Sequence, residues 1–201
     1  MLDGVARRLI GPPVEALGAA LARRGATADA ATLAGFAIGL AAAAAIAWQH
    51  YTLGVVLILA SRLCDGLDGA IARHTAISDR GGYLDIVLDF AFYGAIPLAF
   101  ALARPEANAL PGAVLLFSFY VNGSSFLAYA TIAAKRGIST RARGEKSLYF
   151  TTGLAEATET IAVFCLFCLL PGAFPAIAIG FAAVCLVTAG ARIALAVRTF
   201  R

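Results

Sequence analysis

Apolar residues run along this chain in six long stretches separated by short polar breaks, at about residues 29–48, 52–72, 82–103, 112–134, 148–170 and 174–197. Each is close to the roughly 20 mostly apolar residues that a helix needs to cross a bilayer, and together they nearly exhaust the chain. The pattern predicts an all-α membrane protein with six transmembrane helices, forming a single membrane domain over residues 1–201. No second domain, linker or low-complexity tract has room, and the alanine-rich AAAAAIA (41–47) reads as helix. Pro111, Pro171 and Pro175 are expected to flank spans, and Pro97 to kink the third one modestly. Residues 12–24, PPVEALGAALARR, read as a short amphipathic juxtamembrane helix on the membrane surface. A proline sits in its first turn, and Arg23 and Arg24 stand at its end. The apolar run in MLDGVARRLIGPP is too short for the core of a signal peptide.

Composition agrees with the pattern. Of 201 residues, 61% are hydrophobic and 14% charged, against about 25% charged in a soluble domain. Mean hydropathy is +0.83. The net charge of +4 is a matter of placement. With the N-terminus in the cytoplasm, Arg7, Arg8, Arg23, Arg24, Arg73, Arg80, Lys135, Arg136, Arg141, Arg143, Lys146, Arg198 and Arg201 all fall on the cytoplasmic side. Arg104 alone falls on the other side, and Arg62 and Arg192 lie within spans. This asymmetry predicts that both termini face the cytoplasm. The positive charge then reads as topology and attraction to anionic lipid. No basic groove interleaved with aromatics points to nucleic acid. Heavy use of alanine and arginine suggests a GC-rich bacterial genome, hence a bacterial inner membrane. The four cysteines, Cys64, Cys165, Cys168 and Cys185, all fall in spans. Cys165 and Cys168 form a C-x-x-C with no polar partner nearby, which reads as small apolar packing residues.

Against this background four carboxylates stand out. Asp65 and Asp68 are spaced i, i+3 on the second span, and Asp85 and Asp89 are spaced i, i+4 on the third. Each pair shares one helix face. The connection HTAISDRG is short, so the two helices are expected to be antiparallel neighbours. At 1.5 Å rise per residue, Asp65 and Asp89 lie about 12 Å from the cytoplasmic helix ends, and Asp68 and Asp85 about 6 Å. The four can therefore converge in one cluster, in the cytoplasmic part of the membrane. Bare carboxylates there cost a few kcal/mol each on insertion scales, so they must be protonated or neutralised. Hard divalent cations suit carboxylate oxygens better than protons do. Two such ions balance four carboxylates, and paired ions are a known device for phosphate chemistry. Gly66 and Gly69 follow the aspartates and clear room for a ligand, and Ala72 keeps the next turn narrow. Asp65, Gly69 and Arg73 share a stripe, with Arg73 placed to grip a diphosphate. Gly81 and Gly82 open the third span beside it.

The residues Asp65, Asp68, Gly69, Ala72, Arg73, then Gly81, Asp85, Asp89 resemble the CDP-alcohol phosphatidyltransferase signature, D-x-x-D-G-x-x-A-R followed by G-x-x-x-D-x-x-x-D. The family's usual gap between arginine and glycine is eight residues; HTAISDR supplies seven, a deletion in the interhelical loop. The resemblance implies a transferase of phospholipid biosynthesis that moves a phosphatidyl group from a CDP-linked lipid, CDP-diacylglycerol foremost, to a small alcohol or alcohol phosphate and releases CMP. It implies that Asp65, Asp68, Asp85 and Asp89 bind two Mg²⁺ ions, with Mn²⁺ as the alternative, and that Asp89 is also the catalytic general base. It further implies that Asp29, Thr32, Gly69, Ala72, Arg73 and Ser78 contact the CDP-lipid. The active site would face the cytoplasm, and the protein would be a homodimer packed through membrane helices.

The acceptor is less sharply written. The loop AKRGISTRARGEKSLY places Arg141, Arg143 and Lys146 beside the expected site, either as ordinary inside-positive charge or as a pocket for an acceptor phosphate. Arg192 could reach that pocket by snorkelling. Glu156, Glu159 and Thr160 in the fifth span suit either an acceptor cavity or an interhelical hydrogen-bond network. Gly35 and Gly39 form a G-x-x-x-G that marks close helix packing, within one subunit or between two. Trp48 and Tyr51 read as outer interfacial anchors, and His50 and His74 as interfacial polar residues. Two other functions compete. An intramembrane prenyltransferase also uses aspartate-rich sites, but resembles longer chains with two separate motifs. A cation or proton transporter would need a path through the outer halves of the spans, which carry almost no charge.

Overall fold

The computed structural model describes residues 3–138 and 155–200. Its elements are α1 (Asp3–Arg23), α2 (Ala28–Ala47), α3 (Tyr51–His74), α4 (Asp79–Ala103), α5 (Pro105–Lys135), α6 (Ala157–Leu169), one 3₁₀ turn (Pro171–Ala173) and α7 (Phe174–Thr199). No strand occurs among the described residues. α2, α4, α5 and the segment Pro171–Thr199 are long and apolar enough to cross a membrane. α3 has 24 residues, enough for about 36 Å at 1.5 Å per residue. Its mean hydropathy is lowered by the charged residues of the proposed site.

The elements begin and end where local chemistry directs them. Thr27 caps α2, its hydroxyl accepting from the Ala30 N–H at 3.2 Å, and Ser78 caps α4 in the same way through the Gly81 N–H at 3.0 Å. Such caps satisfy donors that a helix start leaves unpaired. Gly25, at φ +84°, makes the turn between α1 and α2, a left-handed conformation that costs glycine little. Three boundaries differ from the sequence expectation. The fifth span is expected over 148–170, but α6 covers only Ala157–Leu169, 13 residues, with Glu156 as its extended N-cap and residues 148–154 outside the described residues. α1 begins at Asp3, so Pro12 and Pro13 lie inside it. α5 begins at Pro105, which supplies a first-turn residue with no N–H to satisfy, so Pro111 is internal rather than flanking.

α2 is the hub of the bundle. It packs closely on both α3 and α4, while α3 and α4 are not among the closely packed pairs. The expectation of directly neighbouring hairpin helices is corrected accordingly: their polar faces meet across a gap, with α2 against both. The G-x-x-x-G glycines explain the closeness. A Cβ on Gly35 would lie 3.0 Å from Cys64 Cβ and 3.2 Å from the Ser61 carbonyl oxygen on α3, and one on Gly39 would lie 2.6 Å from the Phe92 ring on α4. These glycines pack within the chain, which settles the alternative left open above.

One stripe of α4 shows how core and site share the bundle. Asp85, Asp89, Phe92, Ile96 and Phe100 follow at helical spacing. The first two are partly exposed, and the last three are wholly buried. Phe100 stacks on Phe174 with centroids 4.8 Å apart and meets Phe167 edge-on at 5.5 Å. Cys168 and Cys185 are free and buried in this core, as packing residues should be. An aromatic seal thus closes one half of the bundle, and the other half is left to the carboxylates. Large apolar side chains such as Leu59, Val87, Leu102, Phe117 and Val187 face outward.

Candidate active site

Asp65, Asp68 and Asp85 each present a carboxylate oxygen such that the three lie within 4.8 Å of one another. The sequence reading joined four aspartates; these three form the tight group, and Asp89 stands beside it in a different engagement. The first three offer hard, anionic oxygens at a spacing one divalent cation can span. Asp68 is buried, at 6% exposure. Thr32 on α2 donates from its hydroxyl to Asp68 Oδ2 at 2.6 Å, which fixes the direction of that carboxylate. A small cleft between α2, α3 and α4 is lined by Thr32, Phe36, Arg62, Asp65, Asp85, Leu88 and Asp89.

Arg62 is the residue that the sequence reading left out of the site. Its Nη1 lies 2.5 Å from Asp89 Oδ1 and 3.4 Å from Asp65 Oδ1. Its Nη2 lies 3.2 Å from Ser61 Oγ, and Ser61 in turn donates to the Gly35 carbonyl at 2.7 Å. The guanidinium carbon sits 4.0 Å from the centre of the Phe92 ring, a cation–π seat at the junction of core and site. A signal for it was present: an arginine in an apolar span three residues before Asp65 shares a helix face with it. Its bond to Asp89, 27 positions on, could not be read from spacing.

The expected CDP-lipid contacts occupy two neighbouring places. Asp29 pairs with Arg80 at 2.8 Å, and a Cβ on Gly81 would meet both Ser78 Oγ and Asp29 Oδ1. Asp29, Ser78 and Gly81 therefore gather at the first turn of α4. Gly69 leaves space that the Arg73 side chain borders, and Ala72 is half-buried in the next turn. The Arg73 side chain itself is engaged by α1: Glu15 accepts from its Nη2 at 2.5 Å and its Nε at 3.1 Å, and also lies 2.9 Å from His74 Nε2. Arg192 is elsewhere, its Nη1 bonded to Asn122 Oδ1 at 2.9 Å and Ser125 Oγ at 2.7 Å on α5. Arg141, Arg143 and Lys146 lie outside the described residues.

The Glu15 contact carries a pH consequence. The hydrogen bond from Arg73, aided by the charges of Arg73 and His74, holds the Glu15 carboxyl below its usual 4.5. A lowered carboxyl contributes fully above its ordinary value and loses its contribution as pH falls through the lowered one. A distance probe between α1 and α3 should therefore report loosening on acidification below about 4.5. In Glu15→Gln the probe should read the loosened distance at every pH.

Comparison with known proteins gives the chain's family and fold. Residues 26–195 match the CDP-alcohol phosphatidyltransferase family. The chain is 47% identical to inner membrane protein YnjF of Escherichia coli over 193 residues, 96% of this chain and 94% of that protein. It is 30% identical to archaetidylinositol phosphate synthase of Pyrococcus horikoshii over 149 residues, 73% of this chain and 79% of the relative. Its fold matches that of the Mycobacterium tuberculosis phosphatidylinositol phosphate synthase crystallised with CDP-DAG bound. The TM-score is 0.65 at 20% identity, with 91% of this chain and 92% of the other covered. With the family match extending over most of the chain and the two aspartate pairs of its signature in place, this protein belongs to the CDP-alcohol phosphatidyltransferase family.

Proposed function

We propose that this transferase moves a phosphatidyl group from a CDP-linked lipid, CDP-diacylglycerol first among them, to the hydroxyl of a small alcohol or alcohol phosphate, releasing CMP. The observation that carries the reading is the group of three carboxylate oxygens within 4.8 Å, with Asp89 beside it. Asp65, Asp68 and Asp85 would hold a divalent cation, Mg²⁺ before Mn²⁺, and Asp89 with Asp65 would take part in holding a second. When bound, such ions supply charge neutralisation for a diphosphate.

The chain's own groups do the rest. Thr32 aims Asp68. Asp29, Ser78 and Gly81 at the start of α4, with Gly69, Ala72 and Arg73 on α3, receive the CDP end of the donor. Asp89 takes the acceptor's hydroxyl proton while the acceptor oxygen bonds to the phosphatidyl phosphorus. The bond to CMP breaks, and CMP leaves as an anion. Arg141, Arg143, Lys146 and Arg192 are assigned to the acceptor side. The archaetidylinositol phosphate synthase among its relatives supports including phosphorylated polyols among the acceptors to test.

The reading includes a single domain over residues 1–201 with six spans and α1 on the membrane surface. Both termini and the site face the cytoplasm, in a bacterial inner membrane. The name of its Escherichia coli relative and the distribution of basic residues support that placement. Outward apolar faces leave room for a homodimer.

Purified protein given CDP-diacylglycerol, Mg²⁺ and a panel of alcohols and alcohol phosphates should release CMP with one of them, and chelation should abolish the release. Absence of CMP with every acceptor, in protein shown to be folded, would overturn the assignment.

A further inference from the structure

Where Asp65 and Asp89 would hold a second ion, a side-chain cation already stands. Nη1 of Arg62 lies 2.5 Å from Asp89 and 3.4 Å from Asp65, so one nitrogen contacts both carboxylates that would bind a second ion. The guanidinium is not a passing surface charge. Its side chain is 14% exposed. The Phe92 ring supports one face, and Ser61, itself wholly buried, holds Nη2. The three carboxylates that bring oxygens within 4.8 Å of one another are Asp65, Asp68 and Asp85, and Asp89, which bonds Arg62, is not in that group. Charge agrees: four carboxylates and one guanidinium sum to −3, so one divalent ion leaves −1 and a second must displace or outweigh a resident positive charge.

We propose that Arg62 is a built-in counter-cation at the second position, so that the substrate-free protein takes up one divalent ion tightly and admits a second only against Arg62. This rests on the metal-dependent reading above. It makes Arg62 a positioning residue, acting through Asp65 and Asp89, and it predicts unequal filling of two adjoining places.

Ion binding to the purified full-length protein, measured by calorimetry and by Mn²⁺ spin counting without donor or acceptor, tests it. Wild type should hold one tight ion and a second weaker by about 10- to 100-fold, the range seen when groups adjoining metal ligands change. In Arg62→Met the second ion should tighten toward the first, whereas Arg62→Lys, which keeps the charge, should stay near wild type. Two ions of equal affinity in wild type would overturn the proposal whether or not Arg62→Met folds. An Arg62→Met protein that folds and retains the weak second ion would also overturn it. If wild type takes up no ion at all, the metal-dependent reading falls, and this inference with it. One tight ion in wild type with no change in Arg62→Met leaves that reading standing and removes only the role of Arg62.

Discussion

Asp89→Asn should give a folded protein that has lost about 10²- to 10⁴-fold in CMP release, the span expected when a general base is removed. Asparagine matches aspartate in shape, and its carbonyl oxygen can still accept the Arg62 bond. Arg62 also keeps Asp65 at 3.4 Å and its seat on Phe92. The substitution removes one negative charge from a crowded group of carboxylates, so there is no reason for the fold to suffer. What it removes is the basic lone pair proposed to take the acceptor's proton. Turnover and thermal stability measured on the same preparation check both halves. Turnover near wild type would take Asp89 out of the base role.

Gly39→Leu should act through the fold. The first added carbon would lie 2.6 Å from the Phe92 ring and 3.0 Å from Ser61 Oγ. Phe92 and Ser61 are both wholly buried and have nowhere to retreat, and leucine adds three more carbons. Overpacking of this kind typically costs about 1–3 kcal/mol and sometimes more. The damage is also specific, because the two groups pushed aside are the ring and the hydroxyl that seat Arg62. A drop in melting temperature together with lost activity is expected, while Gly180→Leu, at a glycine with nothing within 4 Å, should be close to neutral. A Gly39→Leu protein as stable as wild type would show that α2 is not held against Phe92 as described.

What could be read from the chain follows a physical division. Aspartates are so costly in apolar helices that Asp65, Asp68, Asp85 and Asp89 announced themselves, and helical spacing sufficed to aim each pair. The ends of α2 and α3 were legible within a few residues, because polar breaks and turn residues mark them. Relations between distant elements were not. Nothing local says that α2 would pack on both carboxylate helices, that Arg62 would reach Asp89, or that Glu15 would take Arg73. Those depend on which faces meet. The start of α5 was misplaced because Pro111 looks like a boundary when the better first-turn proline, Pro105, stands six residues earlier.

The position of α2 bears on how the protein is made. Its two acidic halves hang from helices that both pack on α2, and α2 comes before them in the chain, so the surface that sets their separation is already made when the α3–α4 hairpin emerges. On the metal-dependent reading proposed above, a competent ion site would form once both helices have docked on α2. On that reading, ion uptake would report that the bundle has closed around α2.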